Sequence, residues 1–146
     1  MLGGQLALGS VMIVATVVIH VIGLAAFIAY LGGWLSSVAT RKKFVDLLLA
    51  LSFTVLVVFF LHTIEIWCWA LLYMWLGEFQ SLERALYFST VTFTTLGYGD
   101  ITLRQDWQLL SGFEAANGII LVGVSTAFVF TVLRNLHAGV FRSSPP

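Results

Sequence analysis

The residues with the clearest chemical potential form one short stretch, Thr95-Leu96-Gly97-Tyr98-Gly99-Asp100. Glycine adopts positive φ angles that other residues resist, so glycines at alternate positions allow successive backbone carbonyls to point to the same side. A cation that leaves water needs oxygen ligands at each step of its path. The stretch can therefore bind cations through its backbone, and the Thr95 hydroxyl adds one more acceptor.

A second set of polar residues lies in otherwise apolar sequence. His62 and Glu65 are three residues apart, which suits a pair of metal ligands on a helix, but two ligands are not a metal site. An interfacial hydrogen bond between them is the better supported interpretation. His20 stands alone in the first apolar run, and we expect it to be a packed polar residue.

Glu114 and Asn117 lie one helical turn apart at the start of the last apolar run. Polar groups inside membrane spans are costly and usually face a cavity or a partner. One interpretation is that Glu114 braces the loop from behind or adds charge to the ion path. The other is a buried hydrogen-bonded pair that fixes helix packing, and the sequence leaves both open.

The elements that position these residues follow from the composition. Of the 146 residues, 60% are hydrophobic and 10% are charged, and the formal net charge is zero. So few charges cannot cover the surface of a water-soluble domain, and zero net charge gives no basic surface for nucleic acid. The single cysteine, Cys68, fits no disulfide, metal or redox spacing. The class that remains is a small integral protein of the lipid bilayer.

Three apolar runs are long enough to cross a bilayer, and the first, Val11 to Leu31, would span about 31 Å as a helix. The expected fold is an all-α membrane protein with three transmembrane helices, a re-entrant short helix and a loop. We divide the chain into an N-terminal span with a basic turn (1–43) and a pore unit (44–146). The pore unit contains an outer helix (44–77), a short helix (81–94) with Ser81 as its N-cap, the loop (95–100) and an inner helix (107–133).

The outer helix would be about 50 Å long if it were straight. Either its outer end projects from the membrane or it bends near Glu65. Its aromatic residues have the composition of an interfacial belt, which places Glu65 near the outer headgroup boundary. These aromatic residues are Trp67, Trp69, Tyr73 and Trp75.

The basic residues predict the orientation in the membrane. One side of the spans carries Arg41, Lys42, Lys43, Arg134 and Arg142. The other side carries fewer basic than acidic residues, namely Arg84, Arg104, Glu78, Glu83, Asp100 and Asp106. The positive-inside rule then predicts a multi-pass protein of the cell membrane with its N-terminus outside and its C-terminus in the cytoplasm.

The sequence Thr-Thr-Leu-Gly-Tyr-Gly-Asp that ends at Asp100 resembles the selectivity-filter signature of potassium channels. The resemblance is strong from Ser81 to Asp100 and covers the flanking spans by architecture only. It implies potassium ions bound by the carbonyls of Thr95, Leu96, Gly97 and Tyr98. It also implies a homotetramer that conducts passively, without catalysis and without a cofactor other than the bound potassium.

The resemblance also implies residues that support the filter. Tyr87 and Phe88 fall where relatives often carry aromatic residues that brace it from behind, and Tyr87 keeps a hydroxyl that could hold Asp100. Phe88 has no donor, so Thr92 is the expected partner of the Tyr98 hydroxyl. Leu96 stands where the family usually has Val or Ile, which changes the packing behind the filter rather than its oxygen ligands.

The inner helix and the first span complete this comparison. A glycine in the middle of the inner helix often acts as a gating hinge, a role open to Gly118 or Gly123, although packing alone explains either glycine as well. The first span is additional to the minimal two-span channel, and we expect it to pack peripherally.

Two other functions stay open at this level. A weakly selective cation channel is the nearest, since Leu96 departs from the usual filter residue. A non-conducting membrane subunit built on the channel scaffold is the second. An intramembrane enzyme using Glu65 or Glu114 has little support, because the sequence offers no paired base, nucleophile or metal cluster.

Overall fold

The computed structural model describes residues 2–41 and 44–141. These ranges contain four α-helices and no β-strand: α1 (Leu2–Arg41), α2 (Phe44–Trp75), α3 (Leu82–Phe93) and α4 (Gln108–Phe141). The all-α fold predicted from the sequence is therefore confirmed. Lys42, Lys43 and Arg142, on which the predicted orientation partly rests, lie outside the described residues.

Three of the helices have the length and composition of membrane spans, over Leu2–Val38, Phe44–Trp75 and Gln108–Leu136. In their most apolar windows only 22%, 22% and 28% of the residues are buried inside the chain. The remaining apolar side chains need cover from lipid or from further protein. The chain is thus a multi-pass membrane protein whose helices have most of their contacts outside the single chain.

The helices are longer and more continuous than the sequence indicated. α1 begins at Leu2 rather than near Val11, and α4 continues to Phe141 rather than to residue 133. α2 passes through Glu65 as one uninterrupted helix, which favours the projecting outer end over the alternative of a bend at Glu65. An apolar helix gains one hydrogen bond with each further residue, so nothing in these sequences ends it at the edge of the hydrocarbon core.

α1 packs against the two other membrane-length helices of its own chain, and its expected peripheral position in an assembly stays a prediction. α1 contacts both α2 and α4, while α3 packs against the outer parts of the same two helices. At its N-terminal end, the side-chain amide oxygen of Gln5 accepts a hydrogen bond of 3.0 Å from the backbone N–H of Leu109. Gly9 and Gly23 let α1 approach closely, because a Cβ atom at either position would overlap Phe113 or Leu61.

The aromatic end of α2 is mostly core rather than an interfacial belt. Trp69 and Tyr73 are fully buried, because they point at α3, whereas Trp67 and Trp75 are 44% and 75% exposed. Residues four apart share a helix face, and this face is the one that α3 covers. The belt prediction is therefore wrong for Trp69 and Tyr73.

Candidate functional site

The short helix α3 aims its carboxyl end at the loop that carries the glycines. Ser81 is its N-cap, with φ −127° and ψ 139°, and the Ser81 hydroxyl accepts a hydrogen bond of 3.3 Å from the Arg84 backbone N–H. Glu83 lies in the first turn, where a negative charge complements the positive end of the helix dipole. The last helical residue is Phe93, so the partly negative end of α3 lies at the start of the loop.

The loop backbone alternates between positive and negative φ angles. Gly97 and Gly99 have φ angles of 52° and 76°, as their glycine identity predicts, and Thr95 has φ 61°. Positive φ thus recurs at every second residue. The sequence indicated this for the glycines but not for Thr95, because an L-residue enters this region only where its surroundings hold it there.

Hydrogen bonds attach the first half of the loop to the end of α3. The backbone N–H groups of Leu96 and Gly97 both donate to the Val91 carbonyl, at 2.9 and 3.1 Å. In a trans peptide the C=O points opposite to the N–H of the next residue. The carbonyls of Thr95 and Leu96 therefore both point away from α3, to the same side of the loop.

The loop is exposed when one chain is considered alone. Leu96 and Tyr98 are 55% and 66% exposed. Within the described residues, the Tyr98 hydroxyl has no hydrogen bond to Thr92, so that predicted pair is not formed inside one chain. Irregular backbone between membrane spans is stable only where it lines a water-filled path or is covered by protein.

Tyr87 connects the middle of α3 to the end of the loop. Its hydroxyl donates a hydrogen bond of 2.7 Å to an Asp100 carboxylate oxygen, as the sequence predicted. This hydrogen bond to a carboxylate raises the pKa of Tyr87, because the phenol must keep its hydrogen to donate. Phe88 packs on Tyr73 and Phe79 with ring centroids 5.2 and 5.3 Å apart, which fastens α3 to α2. It also borders the cavity behind Thr95, Gly97 and Gly99, and its role as a brace of the loop stays a prediction.

A clamp that the sequence did not indicate joins the two ends of the α3 region. Arg104 donates to the Glu78 carboxylate through its side-chain Nε at 2.7 Å and through its backbone N–H at 2.8 Å. The Glu78 side chain is 2% exposed and that of Arg104 is 68% exposed. The pair lies 26 residues apart in sequence, and only the closure of the segment around α3 brings it together.

Glu114 joins three helices behind α3. One carboxylate oxygen accepts a hydrogen bond of 2.7 Å from Tyr73 on α2, and the other contacts the Ser89 hydroxyl on α3. Asn117 instead donates to Thr16 on α1 at 2.7 Å, so the predicted pair of Glu114 and Asn117 does not form. The two side chains point from α4 toward different helices, although they are only one turn apart. Their spacing in the sequence does not show this difference.

The two glycines considered as hinges have different surroundings. Gly118 faces the end of α3, where an added Cβ would overlap the Phe93 backbone carbonyl. Gly123 has no atom within 4 Å of an added Cβ. Gly118 is therefore explained by close packing in the single chain, and Gly123 is not.

Four polar side chains from three helices meet below the end of α3. Glu65 accepts from His20 Nδ1 at 2.7 Å and from His62 Nδ1 at 2.8 Å, and Ser125 contacts the Nε2 atoms of both histidines. The ring of His62 lies 5.7 Å from that of Phe93, so Glu65 lies at the depth of the end of α3. α2 extends ten residues, nearly three turns, beyond Glu65. The position of Glu65 near the outer headgroup boundary stays a prediction.

Three membrane-length helices, a short helix packed between two of them and a loop of alternating positive φ angles define a pore-loop membrane protein. A family model described as "Ion channel" matches residues 59–135, which is more than half of the chain. The chain therefore belongs to this family of two-span pore-loop ion channels, which includes potassium channels. No curated protein and no solved structure matches the chain.

The matched range covers the outer part of α2, α3, the loop and most of α4. It includes every residue from Thr95 to Asp100, together with Glu114, Gly118 and Gly123. α1 lies outside it, and with α1 the histidine at position 20.

Proposed function

We propose that four copies of this chain assemble around one axis and form a potassium-selective channel. Potassium moves through it passively, without any bond chemistry or other cofactor. The observation that carries the proposal is the positive φ at Thr95, Gly97 and Gly99. This alternation lets the carbonyls of residues 95–98 face one path and replace the water that a potassium ion loses.

The tetramer follows from the number of oxygen atoms that one chain offers. One loop supplies a single column of carbonyls, whereas a dehydrated ion needs ligands on all sides, and a closed ring of identical copies supplies them. The exposure of Leu96 and Tyr98 and the weakly buried spans support such an assembly. In it, α4 lines the path and the Tyr98 hydroxyl takes its partner from a neighbouring copy.

The charges around the loop favour a cation at both ends of the filter. The negative end of α3 is directed at its inner end, and four α3 helices add their effects there. The outer side carries more acidic than basic residues, which concentrates cations at the mouth. We place this side outside the cell membrane, with the N-terminus on it and the C-terminus in the cytoplasm. Gly123 is the better hinge candidate, since Gly118 is needed for packing.

The decisive experiment is ion flux into liposomes that contain the purified protein. The wild type should show potassium flux that barium blocks, with little sodium flux. Gly97→Ala forces a side chain into positive φ at roughly 1–2 kcal/mol per copy. Summed over four copies, this cost reduces the flux by about a thousandfold or more. Gly33→Ala is the matched control, because Gly33 lies in α1 with open space around it.

Each alternative gives a different result in the same assay. Equal potassium and sodium flux would identify a weakly selective cation channel. Silent vesicles that contain intact tetramers would identify a non-conducting subunit. A strictly monomeric native mass would contradict the pore itself.

A further inference from the structure

The polar cluster below α3 has no part in the filter and lies in the interior of the chain. It consists of His20 on α1, His62 and Glu65 on α2, and Ser125 on α4. His20 and Glu65 are fully buried, Ser125 is 3% exposed, and the His62 side chain is 14% exposed. Ionisable groups among apolar helices are costly, so each of them needs a partner.

The hydrogen atoms of this cluster do not suffice for its contacts. Four contacts form a ring: two between Glu65 and the histidine Nδ1 atoms, and two between Ser125 and the Nε2 atoms. An ionised carboxylate brings no hydrogen, each neutral imidazole brings one, and the serine hydroxyl brings one. Three hydrogens cannot fill four hydrogen bonds, so the ring needs one further proton or another cation in its place.

A metal ion between the Nδ1 atoms and Glu65 removes this shortage. Each histidine then binds the metal through Nδ1 and carries its hydrogen on Nε2. Ser125 Oγ has two lone pairs and can accept both Nε2–H groups, which lie 3.1 and 2.9 Å from it. A metal-binding histidine ordinarily donates its other N–H to such an acceptor, which fixes the ring and its tautomer.

We propose that His20, His62 and Glu65 bind a divalent first-row transition-metal ion of the zinc class, one ion per chain. One ring nitrogen of each histidine and a carboxylate oxygen of Glu65 lie within 4.8 Å of one another. Ligand atoms around a tetrahedral zinc are about 3.3 Å apart, so the contacts of 2.7 and 2.8 Å need to widen by about 0.5 Å. Two nitrogens and one oxygen suit zinc, whereas calcium and magnesium prefer oxygen alone.

The surroundings of the cluster favour a positive charge and give it a way in. One divalent ion and one carboxylate leave a net charge of +1, and the negative end of α3 lies beside it at Phe93. His62 and Ser125 border an apolar groove of about 430 Å³ between α2 and α4. Along this groove the two residues reach the surface of the single chain, and the His62 side chain is 14% exposed there.

The bound ion would connect α1 to the pore unit. Its ligands come from α1 and α2, and Ser125 extends the connection to α4. The sequence supplied only the pair on α2. The third ligand lies 45 residues from Glu65, and helix packing brings it there.

The test is metal binding by the purified full-length protein after treatment with a chelator. Cobalt(II) is added as the probe, and its visible absorption reports a low-symmetry nitrogen and oxygen site. We expect one cobalt per chain, displaced by one zinc. Glu65→Gln and His20→Gln should each abolish the signal, while His137→Gln, which changes the remaining histidine, should leave it unchanged.

Ser125→Ala keeps all three ligands and removes only the acceptor behind them. Its binding therefore separates a weakened metal site from a protein that fails to fold. We expect it to weaken cobalt binding by about 10- to 100-fold. Absence of binding to the folded wild type, or equal binding in Ser125→Ala and Glu65→Gln, would overturn the proposal. One additional proton in the cluster would then explain its four contacts. Binding is measured without ion flux, so it stands or falls separately from the channel function.

Discussion

The loop at residues 95–100 and the cluster of His20, His62, Glu65 and Ser125 bring polar atoms together in opposite ways. The loop uses backbone atoms of consecutive residues and is exposed in the single chain. The cluster uses side chains from three helices and is buried. A few φ angles decide the loop geometry, whereas the packing of whole helices decides the cluster. Substitutions in the loop should therefore change conduction with the fold intact, and substitutions among the buried polar contacts should change stability with selectivity intact.

The largest expected effect distinguishes the role of the loop backbone in conduction from the role of the loop side chains. Gly99→Ala places a side chain at φ 76° in each of four copies, and we expect potassium flux to fall by about a thousandfold or more. Leu96→Val changes only a side chain and should leave the ratio of potassium to sodium flux unchanged. Liposome flux under matched ion gradients measures both variants.

A large change of the ratio of potassium to sodium flux in Leu96→Val would contradict the view that only the loop backbone decides selectivity. Selectivity would then depend on side-chain packing behind the filter as well as on its carbonyls. Native mass of both variants provides the control, since each should remain assembled.

A smaller effect is expected at the buried contacts. Tyr73→Phe removes the hydrogen bond of 2.7 Å to Glu114 and leaves a buried carboxylate with one partner fewer. We expect the free energy of unfolding to fall by about 1–3 kcal/mol, with an unchanged potassium to sodium flux ratio. Denaturation of the protein in detergent measures the first quantity, and liposome flux measures the second.

Tyr30→Phe is the matched control for this measurement, because Tyr30 is 86% exposed on α1. Its stability should equal that of the wild type. An altered flux ratio in Tyr73→Phe would show that the buried contacts reach the filter and would contradict the separation of the two regions.

The smallest effect concerns pH at the outer mouth. The hydrogen bond to Asp100 raises the pKa of Tyr87, so its stabilisation is complete below the ordinary tyrosine pKa of about 10 and is lost as pH rises through the higher folded-state value. Ultraviolet titration of wild type minus Tyr87→Phe should show one phenol that ionises above that ordinary value. A difference curve whose midpoint lies at or below the ordinary tyrosine pKa would contradict the role of this bond.

The sequence was sufficient for features that depend on neighbouring residues. The three spans, the N-cap at Ser81 and the positive φ angles at Gly97 and Gly99 all follow from local composition and local backbone preference. The bond between Tyr87 and Asp100 was expected from the resemblance to the potassium-channel signature rather than from local backbone preference.

Features that depend on contacts between distant helices were not predictable in this way. The clamp of Glu78 and Arg104 and the role of Gly118 each need a partner from another element. Trp69 and Tyr73 were assigned to an interfacial belt because the aromatic residues of α2 were interpreted as facing lipid, whereas both are buried in the chain. No local pattern states which face of an almost uniformly apolar helix another helix will cover.

The bond between Gln5 and Leu109 has a consequence for how the protein is made. Its two residues are 104 positions apart, at the start of the first helix and the start of the last. A ribosome must deliver the first 109 residues before this contact can form, so the first helix is synthesised long before its neighbour α4 exists. The contact is therefore a late and non-local step in the assembly of the chain.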